Sequence, residues 1–224
     1  MSSLIDESVK IAVKQRFADL KHQVIIKVFS TKGHCLFCNE MLALVNSIAQ
    51  LSDKIKVEVC QCDKNDPLAK KYNITDHPAI SIEGDKDYRI RFYGVPAGKE
   101  FTSLIETIIL VSNREATLSP QVKDLLKKIN KKVNLKVFVT LDCPYCPAMV
   151  LRANKLALSS EFITTEMIES SQFAQLAMDY NIFGVPNTII NNGRGRVDGL
   201  VTEEALITEI INTLNRSGEK NPFT

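Results

Sequence analysis

The sequence predicts an α/β chain of two tandem units with one architecture, each a mixed central sheet flanked by helices. Three observations carry that expectation. Two Cys-x-x-Cys motifs, at Cys35–Cys38 and Cys143–Cys146, each follow an apolar β-rich run and precede a helical pattern. A second motif repeats at the same distance: Cys35 to Pro78 and Cys143 to Pro186 both span 43 positions. The length of 224 residues then suits two units of about 110 residues, each large enough to bury a core.

A leading helix is expected near Asp6 to Leu20. Val24 to Phe29 is β-branched and apolar, as buried strands are, and Met41, Leu42, Val45, Ile48 and Ala49 recur at helical spacing after the first Cys pair. Lys56 to Cys60 reads as the second strand and Asp66 to Tyr72 as a short helix. Ala79 to Ile82 and Tyr88 to Tyr93 flank a Glu83-Gly84-Asp85 turn, a hairpin signal, before an amphipathic helix at Glu100 to Val111. A polar stretch near Ser112 to Ser119 divides the chain into units 1–115 and 116–224. Ser119-Pro120 supplies an N-cap and a first-turn proline for a helix with Val122, Leu125, Leu126 and Ile129 on one face.

The order then repeats. Leu135 to Val139 is a strand, and Met149, Val150, Ala153, Leu156 and Ala157 mark a helix. Thr188 to Asn191 and Arg196 to Gly199 form a hairpin about Gly193 and Gly195, and Thr202 to Leu214 closes the unit. Residues 217–224 are expected to fray. Alternating strands and helices imply parallel core strands covered on both faces, with right-handed crossovers.

Composition excludes several function classes. A formal charge of +2 with no long basic run gives no footprint for nucleic acid. The N-terminal ten residues lack a charged region followed by an apolar one, and no apolar run spans a bilayer. The expectation is a cytoplasmic protein without membrane partners. Six cysteines in that setting point to redox or metal chemistry rather than a disulfide framework.

A Cys-x-x-Cys pair at a helix start places its first sulfur where unpaired backbone N–H groups and the positive end of the helix dipole converge. Both favour a thiolate, the nucleophile of disulfide exchange. Cys35 and Cys143 are therefore assigned as nucleophiles, and Cys38 and Cys146 as resolving thiols. A zinc site across the halves is disfavoured because Cys38 and Cys143 are much further apart than ribbon or finger ligands. Buried inert cysteine is disfavoured by the matching contexts. No metal or other cofactor is expected beyond the internal disulfides.

Cys143-Pro144-Tyr145-Cys146 resembles the glutaredoxin active site, and the strand, Cys-x-x-Cys, helix and later Val-Pro order resembles the thioredoxin superfamily. With Tyr93-Gly94-Val95-Pro96-Ala97-Gly98-Lys99-Glu100-Phe101 between the sites, the chain is similar to the glutaredoxin-like protein disulfide oxidoreductases of archaea and thermophilic bacteria. That resemblance implies two thioredoxin folds and cis prolines at Pro78 and Pro186. It further implies that His77, Pro78, Val185 and Pro186 contact substrate. The implied activity is cytosolic disulfide formation, reduction or isomerisation on protein thiols, with a thioredoxin-reductase-like flavoprotein as electron partner. The run Asn191-Asn192-Gly193-Arg194-Gly195 does not reproduce the Gly-Gly-x-Asp of glutathione-binding glutaredoxins. The alternative activity is that of a dedicated dithiol carrier to one partner, such as a peroxidase.

Remaining residues receive plainer readings. Cys60 and Cys62, spaced i, i+2, are expected on one strand face as small buried groups. His34 beside Cys35 favours a thiolate when protonated, whereas Asp142 beside Cys143 disfavours one. Pro144, read as the first helical residue, preorganises the Cys143 helix start. The C-terminal pair is accordingly expected to carry most turnover.

Overall fold

The computed structural model describes residues 5–216; the expectation for 217–224 and the first four residues of the N-terminal unit lie outside them. The N-terminal half runs α1 (Glu7–Phe17), β1 (Val24–Ser30), α2 (Cys38–Ala49), β2 (Ile55–Gln61), α3 (Pro67–Tyr72), β3 (Ala79–Glu83), β4 (Asp87–Tyr93) and α4 (Glu100–Asn113). The C-terminal half runs α5 (Pro120–Leu126), β5 (Val133–Val139), α6 (Cys146–Ser159), β6 (Ile163–Glu169), α7 (Ala174–Asp179), β7 (Asn187–Ile190), β8 (Gly195–Asp198) and α8 (Glu203–Asn215). Every expected element is present within a few residues of its expected place. Ser119 caps α5 as its spacing predicts, accepting a hydrogen bond from the Val122 N–H.

The halves share one eight-stranded sheet, in the order β2-β1-β3-β4-β6-β5-β7-β8. The expectation of a parallel core holds for β1–β2, β4–β6 and β5–β6, while β3 and β7 run antiparallel to their neighbours. The sheet is mixed because each hairpin returns the chain beside the first strand of its own unit. The seam between halves is β4–β6, where Arg91 lies opposite Glu166.

One face carries the main core. Alternation along β1 sends Val24, Ile26 and Val28 to that face, and Leu135, Val137 and Val139 of β5 do the same. Met41, Leu44, Val45 and Ile48 of α2 cover the first set; Met149, Val150, Ala153, Leu156 and Ala157 of α6 cover the second. At roughly 1.5–3 kcal/mol per fully buried large aliphatic side chain, this layer is the largest favourable contribution to folding. Asn154 joins the halves within it: its amide donates to Thr107 Oγ1 of α4 and accepts from Thr165 Oγ1 of β6.

The other face is covered by the short helices α3 and α7 over a smaller aromatic cluster that includes Phe29, Tyr72, Tyr93 and Phe138. Below it a register row crosses all eight strands: Glu58, Lys27, Ser81, Arg91, Glu166, Lys136, Ile189 and Arg196. Its buried charges are paired, Lys27 with Glu83 at 2.8 Å, Arg91 with Asp87 at 2.6 Å, and Lys136 with Glu166. Unpaired, each would incur a desolvation penalty of several kcal/mol.

Candidate active site

Each Cys-x-x-Cys pair lies where a core strand ends and a helix of the main layer begins. Cys35 and Cys38 are joined by a disulfide, as are Cys143 and Cys146, with Cα–Cα separations of 5.5 Å in both. Both prolines expected to be cis are cis, at His77–Pro78 and Val185–Pro186. Each proline carbonyl is held by a glycine further along the chain, Pro78 by the Gly94 N–H at 3.1 Å and Pro186 by the Gly199 N–H at 2.8 Å.

The helix starts differ from the sequence expectation. α2 begins at Cys38 and α6 at Cys146, so each first cysteine precedes the helix by three residues. Pro144 is therefore outside the helix, and the first-turn proline of α6 is Pro147. Pro144 is not the cause of that start, because α2 begins at the same motif position with Leu36 in its place. The ground for giving Pro144 a helix-preorganising role is removed. Neither helix has a side-chain cap. At α6 the Cys143 Sγ takes that place, accepting the Cys146 N–H at 3.2 Å.

The two sites differ in exposure. Cys143 is 7% exposed and Cys146 fully buried, whereas Cys35 and Cys38 are half-buried. The intervening residues Leu36 and Tyr145 are 67% and 61% exposed. Beside Pro186, a cleft of about 390 Å³ is lined by Phe183, Val185, Pro186 and Arg196, and Phe183 is almost fully exposed.

His77 is drawn below its ordinary pKa by burial, against the opposing pull of Asp76 and Asp63. Its Nε2 is buried with no hydrogen-bond partner among the described residues. Asp142 is exposed and accepts from Thr140 Oγ1 at 2.8 Å. Cys60 and Cys62 are free thiols in or against the smaller aromatic cluster, where burial pushes both pKa values up. Cys62 lies just past β2, its N–H bonded to Ser30 O. The expectation of two buried groups on one strand face is corrected: β2 ends at Gln61, before Cys62, and Cys60 is only half-buried.

Sequence reasoning used residues 93–101 as a mark of family resemblance and missed that 94–99 form a strap between the sites. Its Gly94 end is held to Pro78, and its Lys99 N–H donates to Leu141 O at 2.7 Å, two residues before Cys143. Gln172 pins the middle, accepting from the Val95 N–H at 2.9 Å. Next along the chain, Glu100 is completely buried. Burial pushes its pKa up to about 7 despite a hydrogen bond from Ser103, and Glu169 adds to the rise. An acidic residue at the first position of an otherwise mostly apolar helix was the available signal.

A solved structure of a protein disulfide oxidoreductase from Aeropyrum pernix superposes over 100% of this chain and 98% of its own, with a TM-score of 0.84 at 23% identity. The chain is a tandem thioredoxin-fold protein. The N-terminal domain of alkylhydroperoxide reductase AhpF from Enterococcus faecalis has the same fold, with a TM-score of 0.83 at 24% identity over 94% of this chain and 99% of its own. The thioredoxin domain family model matches residues 133–212. Among curated relatives, a Bacillus subtilis NADH dehydrogenase is 27% identical over 98% of this chain and 41% of its own length. An alkyl hydroperoxide reductase component from Staphylococcus aureus is 29% identical over 91% and 39%. The tandem thioredoxin-fold chain thus spans about two-fifths of the curated relatives that it matches.

No described helix is long and apolar enough to cross a membrane. Among the described residues no group of three or more His, Cys, Asp or Glu is arranged to hold a metal ion.

Proposed function

We propose that the chain exchanges disulfides with protein thiols through two sites. Cys35 and Cys143 attack, Cys38 and Cys146 resolve, and units 1–115 and 116–224 each supply one complete site. The observation that carries this reading is that both Cys pairs close as disulfides at a strand end and uncapped helix start. There the amide hydrogen bond to Cys143 Sγ and the helix dipole stabilise a departing or attacking thiolate. In each exchange the thiolate forms a mixed disulfide, and its partner sulfur then displaces the substrate thiolate.

His77, Pro78, Val185 and Pro186 are assigned to the substrate side of these sites. A protein of this chemistry working in the cytoplasm needs an electron partner, and a flavoprotein of the thioredoxin-reductase kind suits a dithiol acceptor. Isomerisation of substrate disulfides belongs to the same chemistry.

A second reading is a carrier dedicated to one partner such as a peroxidase, and the curated alkyl hydroperoxide reductase relatives favour it. Insulin reduction with dithiothreitol as donor separates the two. Exchange on general protein substrates predicts strong acceleration by the full chain, a reduced rate with either Cys35→Ser/Cys38→Ser or Cys143→Ser/Cys146→Ser, and none with all four replaced. A wild-type chain that leaves insulin reduction unaccelerated overturns the general reading in favour of the dedicated carrier.

A further inference from the structure

The two disulfides lie past the same end of one sheet. β1 and β5, which lead to Cys35 and Cys143, run in the same direction, because two antiparallel pairings (β1–β3, β3–β4) and two parallel ones (β4–β6, β6–β5) separate them. Four strand spacings lie between them, about 19 Å at ~4.8 Å each.

The strap gives an independent limit. Its ends are held to Pro78 O of one site and Leu141 O of the other by hydrogen bonds of 3.1 and 2.7 Å. The chain between those two amides reaches at most about 18 Å when fully extended, so the two carbonyls are within about 24 Å. The strap is also folded: Ala97 N–H returns to Val95 O, and Gly94 and Gly98 have positive φ. Gln172 at its middle keeps that length fixed.

Such a separation is too long for a sulfur of one site to bond a sulfur of the other, since a disulfide needs about 2 Å. It is short for an extended polypeptide, which covers ~3.3 Å per residue and crosses the gap in about six to eight residues. Exposed Leu36, Tyr145 and Phe183 give such a chain apolar contacts at each end.

We propose that both sites engage a single extended polypeptide at once. Its substrates are then unfolded or partly folded chains whose two reacting sulfurs stand at least about seven residues apart. This rests on the dithiol reading above and adds the two-point geometry to it.

The test uses the reduced full chain with Cys38→Ser and Cys146→Ser, and peptides with two cysteines, each capped as a thionitrobenzoate disulfide. At each link a protein thiolate bonds the peptide sulfur, the peptide–thionitrobenzoate bond breaks, and thionitrobenzoate leaves as the coloured thiolate. The chain with all four site cysteines replaced measures the contribution of Cys60 and Cys62. With cysteines ten residues apart, the second link is intramolecular and sees a millimolar effective concentration. At micromolar reactants it should form at least about tenfold faster than for a peptide with cysteines three residues apart, giving a doubly bonded 1:1 adduct by mass spectrometry. Equal second-release rates for the two peptides overturn the proposal. If neither this variant nor Cys35→Ser/Cys143→Ser forms adducts above that background, the dithiol reading falls and takes the proposal with it.

Discussion

Glu100→Gln tests the electrostatics of the strap directly. The wild-type carboxyl is completely buried, its Oε1 has no hydrogen-bond partner among the described residues, and its pKa rises from an ordinary 4.5 to about 7. A carboxyl whose pKa is raised by folding supports the fold fully below its unfolded pKa, and that support is lost as pH climbs through the folded value. The window here is therefore pH 4.5 to 7. At ~1.4 kcal/mol per pH unit, the rise amounts to about 3 kcal/mol. Gln is neutral throughout and keeps the shape, so the stability gap between variant and wild type should move by about 2–3 kcal/mol in favour of the variant between pH 5 and 8. Urea unfolding of both oxidised proteins across that range measures it. A gap that stays flat to within about 0.5 kcal/mol refutes the claim that Glu100 is held protonated by burial.

Two further outcomes follow from exposure and backbone geometry. Because Cys35 and Cys38 are half-buried while Cys143 and Cys146 are buried, limiting dithiothreitol should open the N-terminal disulfide several-fold sooner; differential alkylation showing Cys143–Cys146 opened first contradicts this. Gly98 has φ +53°, and a Cβ there would lie 2.4 Å from Leu141 O. Gly98→Ala should therefore cost at least about 1–2 kcal/mol in urea unfolding, and an unchanged midpoint argues that the strap relaxes freely.

Most of the fold was legible because the two halves repeat. The equal 43-residue spacing from cysteine to proline aligned each strand of one half with its counterpart, and β-branched runs such as Val24-Ile25-Ile26 declared their own type. Both disulfides were legible for the same reason. The seam was not, because no local pattern links Arg91 to Glu166, and only the register brings them opposite each other on a covered face. Pro144 misled because a proline before a helix satisfies the same sequence rule whether it is the first helical residue or stands ahead of it. Gln172 carries no local signal at all; its role depends on a contact with Val95 across the halves.

The seam also bears on what the outer strands of the sheet present to another chain. The halves are related by repetition along the sheet, a heterologous contact that does not close on itself and that can in principle be extended without end. A third unit would have to dock on β8 as β6 docks on β4. The matching pairs Ala79–Tyr93 and Asn187–Asp198 map the paired stretch Ile90–Tyr93 onto Gly195–Asp198, the whole of β8. That edge strand is four residues long with Val197 its one apolar side chain, and Gly199 follows it at φ +76°. At the opposite margin, β2 presents Lys56 and Glu58 beside an exposed Val59, charges of the kind that blunt a free edge. Both outer strands of the sheet thus carry features that oppose pairing with a further strand.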